Sequence, residues 1–363
     1  MPGAEFTAAT STELLNSDLL RTCREASLRT RGELDKRLSS EIPGYTSEDT
    51  SLVVFGSLAR GEWTSGSDLD WTYLIDGGAN SDHLLIAQRI QKLLEENEEN
   101  KTNFRPPSPS GTFGNMAFSH DIIHQIGGQN DTNKNTTQRI LLLLESCAIG
   151  KRTDAYERVI RGVINRYLDE DNHLLTSDSK RYRVPRFLLN DIVRFWRTMA
   201  VDFASKQRDR AGNGWGLRNA KLRMSRKLIF ASGLLVSFSA NLDPDLQTKI
   251  STDKKDGIKL TLVQHIRDYV RLTPLEIVAR SMERCGVPES IAKDLFSAYA
   301  EFLRVLSDDK SRTALDNLRS SDSRTDPTFR RIREISGVFE SALDHVFFEN
   351  KQIAPLNRKY GVF

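Results

Sequence analysis

Two aspartates one residue apart, Asp68-Leu69-Asp70, open the second of two short apolar runs in the first quarter of the chain. Side chains alternate faces along a strand, so both carboxylates point the same way and Leu69 turns toward a core. Carboxylates this close repel, which raises one pKa unless a cation sits between them. A hard divalent cation with oxygen ligands answers the repulsion: Mg²⁺ above all, with Mn²⁺ as its substitute. Just upstream, Val53-Val54-Phe55 runs into Gly56-Ser57-Leu58-Ala59-Arg60-Gly61-Glu62. Gly56 allows the backbone to approach a ligand closely. Ser57 adds a hydroxyl beside the open N–H groups of a helix start, which suits a phosphate. One short segment thus pairs a phosphate cradle with a metal site, the parts that phosphoryl or nucleotidyl transfer requires.

The surrounding pattern supplies elements to hold these groups. Residues 12–40 read as helical, with Leu14, Leu15, Leu19, Leu20 and Leu34 among polar positions, and Ile42-Pro43-Gly44 breaks the pattern. Residues 51–55 and 69–75 read as buried strands, the second ended by Asp76-Gly77-Gly78. Ser81 is placed to cap a helix carrying Leu85, Ile86, Ile90, Leu93 and Leu94. Residues 101–115, with Pro106, Pro107 and Pro109, read as a long loop, and Phe118–Ile126 as a third strand. From Thr132 onward the reading is helical: 135–149, 153–168, 185–206, 217–239, 258–271, 274–284, 288–306 and 326–349. The expected organisation is α+β: an N-terminal helical segment (1–45), a small mixed-sheet domain (46–150) and an all-α bundle (151–363).

Composition narrows the class. Lys and Arg number 52 against 49 Asp and Glu, a net charge of +3, so whole-chain charge points to no nucleic-acid or membrane partner. Cys23, Cys147 and Cys285 are odd in number and far apart. That fits neither a disulfide framework nor a zinc site and suggests a reducing, cytoplasmic compartment. No run reaches the roughly 18 apolar residues of a membrane span, and Met1–Leu14 lacks the apolar core of a signal peptide.

Gly-Ser, then about ten residues, then Asp-x-Asp between hydrophobic strands resembles the signature of the DNA polymerase β-like nucleotidyltransferase superfamily. The wording Gly-Ser-Leu-Ala-Arg-Gly-Glu with Ser-Asp-Leu-Asp is most similar to its bacterial branch of minimal nucleotidyltransferases and PII uridylyltransferase-like proteins. A Leu-rich helix (Leu141–Leu144) followed by Glu145 and Gly150 is similar to that branch as well. The resemblance implies a nucleotidyltransferase domain followed by a helical bundle. It implies an NTP substrate, ATP favoured, bound with Mg²⁺ on Asp68 and Asp70, and its terminal phosphates on Gly56 and Ser57. Arg60 is expected to contact phosphate, or to pair with Glu62 or an acid of the site. The superfamily usually carries a third carboxylate on a neighbouring strand, as a metal ligand or base for the acceptor hydroxyl. Asp121, in Ser119-His120-Asp121-Ile122-Ile123-His124, is the candidate and Asp131 the runner-up. His120 and His124 lack a third ligand at sensible spacing for zinc.

Between Lys180 and Phe230 lie fourteen Lys and Arg against three Asp and no Glu. Arg218, Lys221, Arg223, Arg226 and Lys227 crowd ten positions. Such residues usually form a solvated face that lays its stems over a core. The missing acids argue instead for an anion nearby, and by the resemblance Lys221, Arg223 and Arg226 are candidates to hold the triphosphate or an acidic or RNA acceptor. Trp215, in a glycine-rich loop, is placed either to stack on a base or to anchor the core. The expected acceptor is a macromolecule, protein or RNA. A nucleotide second-messenger synthase and a non-catalytic nucleotide-sensing or partner-binding module are the alternatives.

Overall fold

The computed structural model describes residues 7–64, 66–95, 113–170, 184–209, 213–252 and 255–361. In chain order the elements are α1 (Ala8–Leu15), α2 (Asp18–Glu41), β1 (Thr50–Phe55), α3 (Gly56–Arg60), β2 (Trp71–Ile75), α4 (Ser81–Glu95), β3 (Asn115–Phe118), α5 (Ser119–Ile123), α6 (Asn133–Leu144), β4 (Ser146–Ile149) and α7 (Asp154–Glu170). Then follow α8 (Arg186–Asp209), α9 (Trp215–Lys221), α10 (Lys227–Phe238), α11 (Pro244–Thr252), α12 (Lys255–Val270), α13 (Pro274–Arg284), α14 (Glu289–Ser307), α15 (Asp309–Asn317), α16 (Pro327–Asp344) and α17 (Ile353–Leu356). The architecture is α+β: a small mixed sheet early in the chain, then helices.

Contacts divide the chain into two compact units, Thr22–Glu170 and Met1–Arg21 with Asp171–Phe363. The division runs at 21 and 170; the sequence reading sets segment limits at 45 and 150, with the domain boundary between about 150 and 180. Helix α7 packs on β1 and β2 and so belongs with the sheet, whereas α1 packs on α13 and α14.

In the first unit the sheet order is β3-β2-β1-β4. Strand β1 is antiparallel to both β2 and β4, and β2 is parallel to β3. Every residue of β1 and β2 is buried, as their unbroken apolar runs require of central strands. One face, with Leu52, Val54, Trp71, Tyr73 and Ile75, packs on Leu34 and Leu38 of α2 and on Ala87, Ile90 and Leu94 of α4. Val53, Phe55, Thr72, Leu74 and Ala117 face Ile122, Gln138 and Leu142 of α5 and α6.

Two expectations fail here. The third strand is not Phe118–Ile126; it occupies Asn115–Phe118, and Ser119–Ile123 is helical. Ile122 and Ile126 are buried while His124 between them is exposed, which breaks the every-second-residue burial of a strand and fits the i, i+4 spacing of a helical face. The helix expected over 135–149 stops at Leu144, because Glu145 leaves helical geometry at φ −147° and Ser146–Ile149 pairs with β1 as β4. The proline-rich loop lies outside the described residues as far as position 112.

The regular elements among the second unit's described residues are all helices. Its basic stretch is not one continuous helix: a π-helical turn, Leu222–Arg226, joins α9 to α10. Trp215 is an anchor of this unit's core, 8% exposed with its ring 5.0 Å from that of Phe329. No described helix is long and apolar enough to cross a membrane.

Candidate active site

The site is assembled where β1 ends and β2 begins. Beyond Val54↔Trp71 the ladder runs one step further, with the Phe55 N–H donating to the Asp70 carbonyl at 2.9 Å. Gly56 is therefore beside Asp70. Its φ is +68°, and a Cβ built on it would lie 3.4 Å from Asp70 Oδ2. The residue must be glycine to hold that left-handed conformation without strain. Leu69 is 1% exposed while Asp68 and Asp70 are partly exposed, so the alternation read from the sequence is present in the fold.

The turn between the two strands is closed by local bonds. Ser57 is the second residue of α3 and partly exposed; its backbone carbonyl accepts the N–H groups of Gly61 and, at 2.8 Å, Glu62. Further along, the Ser67 hydroxyl accepts the Thr64 N–H at 3.1 Å and the Ser67 N–H donates to the Thr64 carbonyl at 2.9 Å. Arg60 lies on the inner side of this turn. Its Nε donates to Glu62 Oε2 at 2.8 Å and its Nη1 to Glu145 Oε2, and all three side chains are at least nine-tenths buried. Arg60 thus pairs with Glu62, as one of its expected roles has it, and with Glu145 as a second acid.

Neither acid proposed as the third carboxylate stands with Asp68 and Asp70. Asp121 is exposed on α5, beyond the C-terminal end of β3. Strands β2 and β3 are parallel, and the aspartate pair precedes the N-terminal end of β2, so the topology puts Asp121 at the opposite end of the sheet. Asp131 is buried in a bidentate pair with Arg139, at 3.1 and 3.0 Å. Arg139 is itself fully buried and also donates to the Ile122 carbonyl and, at 2.7 Å, to the Tyr167 hydroxyl. That acid holds α5, α6 and α7 together. His120 and His124 are exposed one helical turn apart. Among the described residues no group of three or more His, Cys, Asp or Glu is placed to hold a metal ion.

Two oxygens that the sequence did not single out lie on the aspartates' face of the sheet. Thr72 follows Asp70 by two residues, and its register partner on β3 is Asn115. Thr72 Oγ1 and Asn115 Oδ1 are buried without a hydrogen-bond partner. A divalent cation, which the aspartate pair implies, fits this chemistry: hard oxygen donors, two of them anionic and two awaiting a partner.

Lys221, Arg223 and Arg226 belong to the other compact unit. All three are half-buried at the end of α9 and in the π-helical turn, and Arg223 Nε donates to Asn219 Oδ1 at 2.8 Å.

Comparison with known families agrees with the strand-turn-strand geometry: residues 33–111 match the model of the nucleotidyltransferase domain. No curated protein and no solved structure matches the chain. The chain therefore carries a nucleotidyltransferase domain of the polymerase β-like superfamily.

Proposed function

We propose that the protein is a Mg²⁺-dependent nucleotidyltransferase that moves a nucleoside monophosphate from an NTP, ATP favoured, to a hydroxyl on a macromolecular acceptor, protein or RNA. The observation that carries this reading is the adjacency of Gly56 and Asp70 at the head of the sheet, at the spacing of the superfamily motif. In the reaction the acceptor oxygen bonds to the α-phosphorus and the α–β bridging bond breaks. Pyrophosphate leaves with the electron pair, and the hydroxyl proton passes to water. Asp68 and Asp70 hold the cation, which when bound stabilises negative charge on the transferring group. Gly56 leaves room for the phosphates, and the backbone and hydroxyl of Ser57 orient them. The Arg60–Glu62–Glu145 cluster keeps the turn in shape. Asp121 takes no part. Lys221, Arg223 and Arg226 are assigned to phosphate or an anionic acceptor, because their stretch is rich in cations and poor in acids. Three free cysteines are consistent with the cytoplasm.

One observation favours a second reading, a nucleotide-sensing module without catalysis: no third acid joins the aspartate pair among the described residues. Incubating the protein with each labelled NTP and a cell lysate separates the two. Transfer of label to a macromolecule supports the enzyme, provided that Asp68→Ala with Asp70→Ala abolishes it without lowering the melting temperature. Tight NTP binding with no transfer supports the sensor. Product formed from ATP and GTP alone would identify a second-messenger synthase instead.

A further inference from the structure

Two buried oxygens without a hydrogen-bond partner share a face of the sheet with Asp70. Backbone and side-chain acceptors buried without a donor each cost on the order of 1–3 kcal/mol, and such groups are rare enough to need a cause. Thr72 is 3% exposed and its Oγ1 is unpartnered; across the ladder Asn115 is partly exposed, and its Oδ1 is buried and unpartnered. The two residues are register partners, so they share a face, and Asp70, two residues before Thr72, lies on that face. The ladder between β2 and β3 continues upward through the Gly114 N–H, which donates to the Trp71 carbonyl at 2.7 Å, so Phe113 lies opposite Asp70.

Residues 113–118 read Phe-Gly-Asn-Met-Ala-Phe. Asn115 is thus the one residue of that stretch whose side chain carries an oxygen. Phe113 is occupied otherwise, its ring 4.8 Å from that of Phe55. On the other neighbour of β2, the same face carries Val53 and Phe55. Among the described residues of these flanking strands, Asn115 carries the side-chain oxygen on that face nearest in register to Asp70; Ser51 of β1 lies further off, level with Leu74.

We propose that Asn115 is a ligand-bearing residue of the cation site, its neutral amide oxygen completing the set begun by Asp68 and Asp70. The inference rests on the functional reading above and extends it: two carboxylates and an amide balance one divalent ion, where a third carboxylate would leave a surplus negative charge. The consequence is a site that holds one divalent ion and whose affinity responds to the charge at position 115.

The test is a Mn²⁺ titration of the full chain followed by the loss of the free-ion electron paramagnetic resonance signal, without nucleotide. Wild type should take up one Mn²⁺. Asn115→Asp, which keeps the side-chain shape, should lower the Kd about tenfold, and Asn115→Ala should raise it about tenfold. Melting curves exclude unfolding as the cause; if Asn115→Ala fails to fold, Asn115→Asp decides alone. Asp70→Ala should abolish binding. If Asp70→Ala abolishes binding while both Asn115 variants keep the wild-type Kd within twofold, the inference falls and the functional reading stands. If the wild type takes up no Mn²⁺, the reading falls and the inference with it.

Discussion

Replacing Gly56 by alanine tests the site at its narrowest point. At φ +68° any other L-residue pays a backbone cost, about 1–2 kcal/mol for the left-handed region. The added Cβ would meet Asp70 Oδ2 at 3.4 Å, an ordinary contact, so packing adds little to that figure. For a unit of this size a loss of 1–2 kcal/mol lowers the melting temperature by roughly 2–8 °C. The same methyl covers the side of the Asp70 carboxylate that faces the turn, so transfer activity should fall by more than tenfold, beyond what the stability loss explains. Gly32→Ala is the internal control. Gly32 lies exposed within α2 with nothing within 4 Å of a built Cβ, and alanine there should stabilise by about 0.5–1 kcal/mol. The assay is differential scanning fluorimetry on both variants, with labelled-NTP transfer measured at a temperature where both are folded. A Gly56→Ala protein that melts at or above wild type would refute the conformational argument. One that melts low but transfers normally would refute the placement of Gly56 at the reacting phosphates.

Other consequences can be checked with the same protein. Asp131→Ala should destabilise the first unit by about 3–5 kcal/mol in urea denaturation, because it leaves fully buried Arg139 without its carboxylate; a loss under 1 kcal/mol would contradict the buried pair. Lys221→Ala should raise the NTP or acceptor concentration needed for half-maximal transfer with no change in melting, and an unchanged titration curve would return Lys221 to an ordinary helix surface. His265 is depressed to about 4, first by burial, against the opposing pull of Asp243, and its Nε2 is 3.0 Å from Ser239 Oγ. Arg280, Arg284 and Asp268 also face it. The unfolded chain therefore takes up a proton near pH 6.5 that the folded chain refuses until about 4. Stability should fall as pH drops through that window, by up to about 3 kcal/mol. In His265→Gln the slope between pH 6.5 and 4 should flatten.

What is legible in the sequence alone is what is local. The strand at 50–55 announces itself as an unbroken apolar run, and the Asp68/Asp70 pairing follows from side-chain alternation. Glycine at 56 and the turn after it follow from short-range geometry. What failed depended on partners distant in the chain. Asp121 sits in a plausible segment, but whether it meets Asp70 depends on β3 running parallel to β2, and the direction of a strand leaves no trace in its own residues. Asp131 and Asp121 are chemically alike, and only Arg139 arriving from α6 makes one of them structural. Strand β4 is hard to see because Cys147–Ile149 is a short apolar run close behind Leu141–Leu144, and in runs that short a helix and a strand look the same. Asn115 went unnoticed because an asparagine beside a glycine reads as a turn.

The order of strands limits how this domain can be cut. The family match spans 33–111, which takes in β1 and β2 but neither of the strands that flank them. A fragment trimmed to those limits would keep a two-stranded ribbon covered on one face by α4 and the end of α2, but with both edges open and the other face stripped of α5 and α6, a form prone to self-association. It would also shed Glu145, one of the two acids that grip Arg60. The smallest piece with its hydrogen-bonding edges and its turn intact runs from about residue 22 to 170, nearly twice the recognisable motif, so the recognisable part and the foldable part of this chain are different objects.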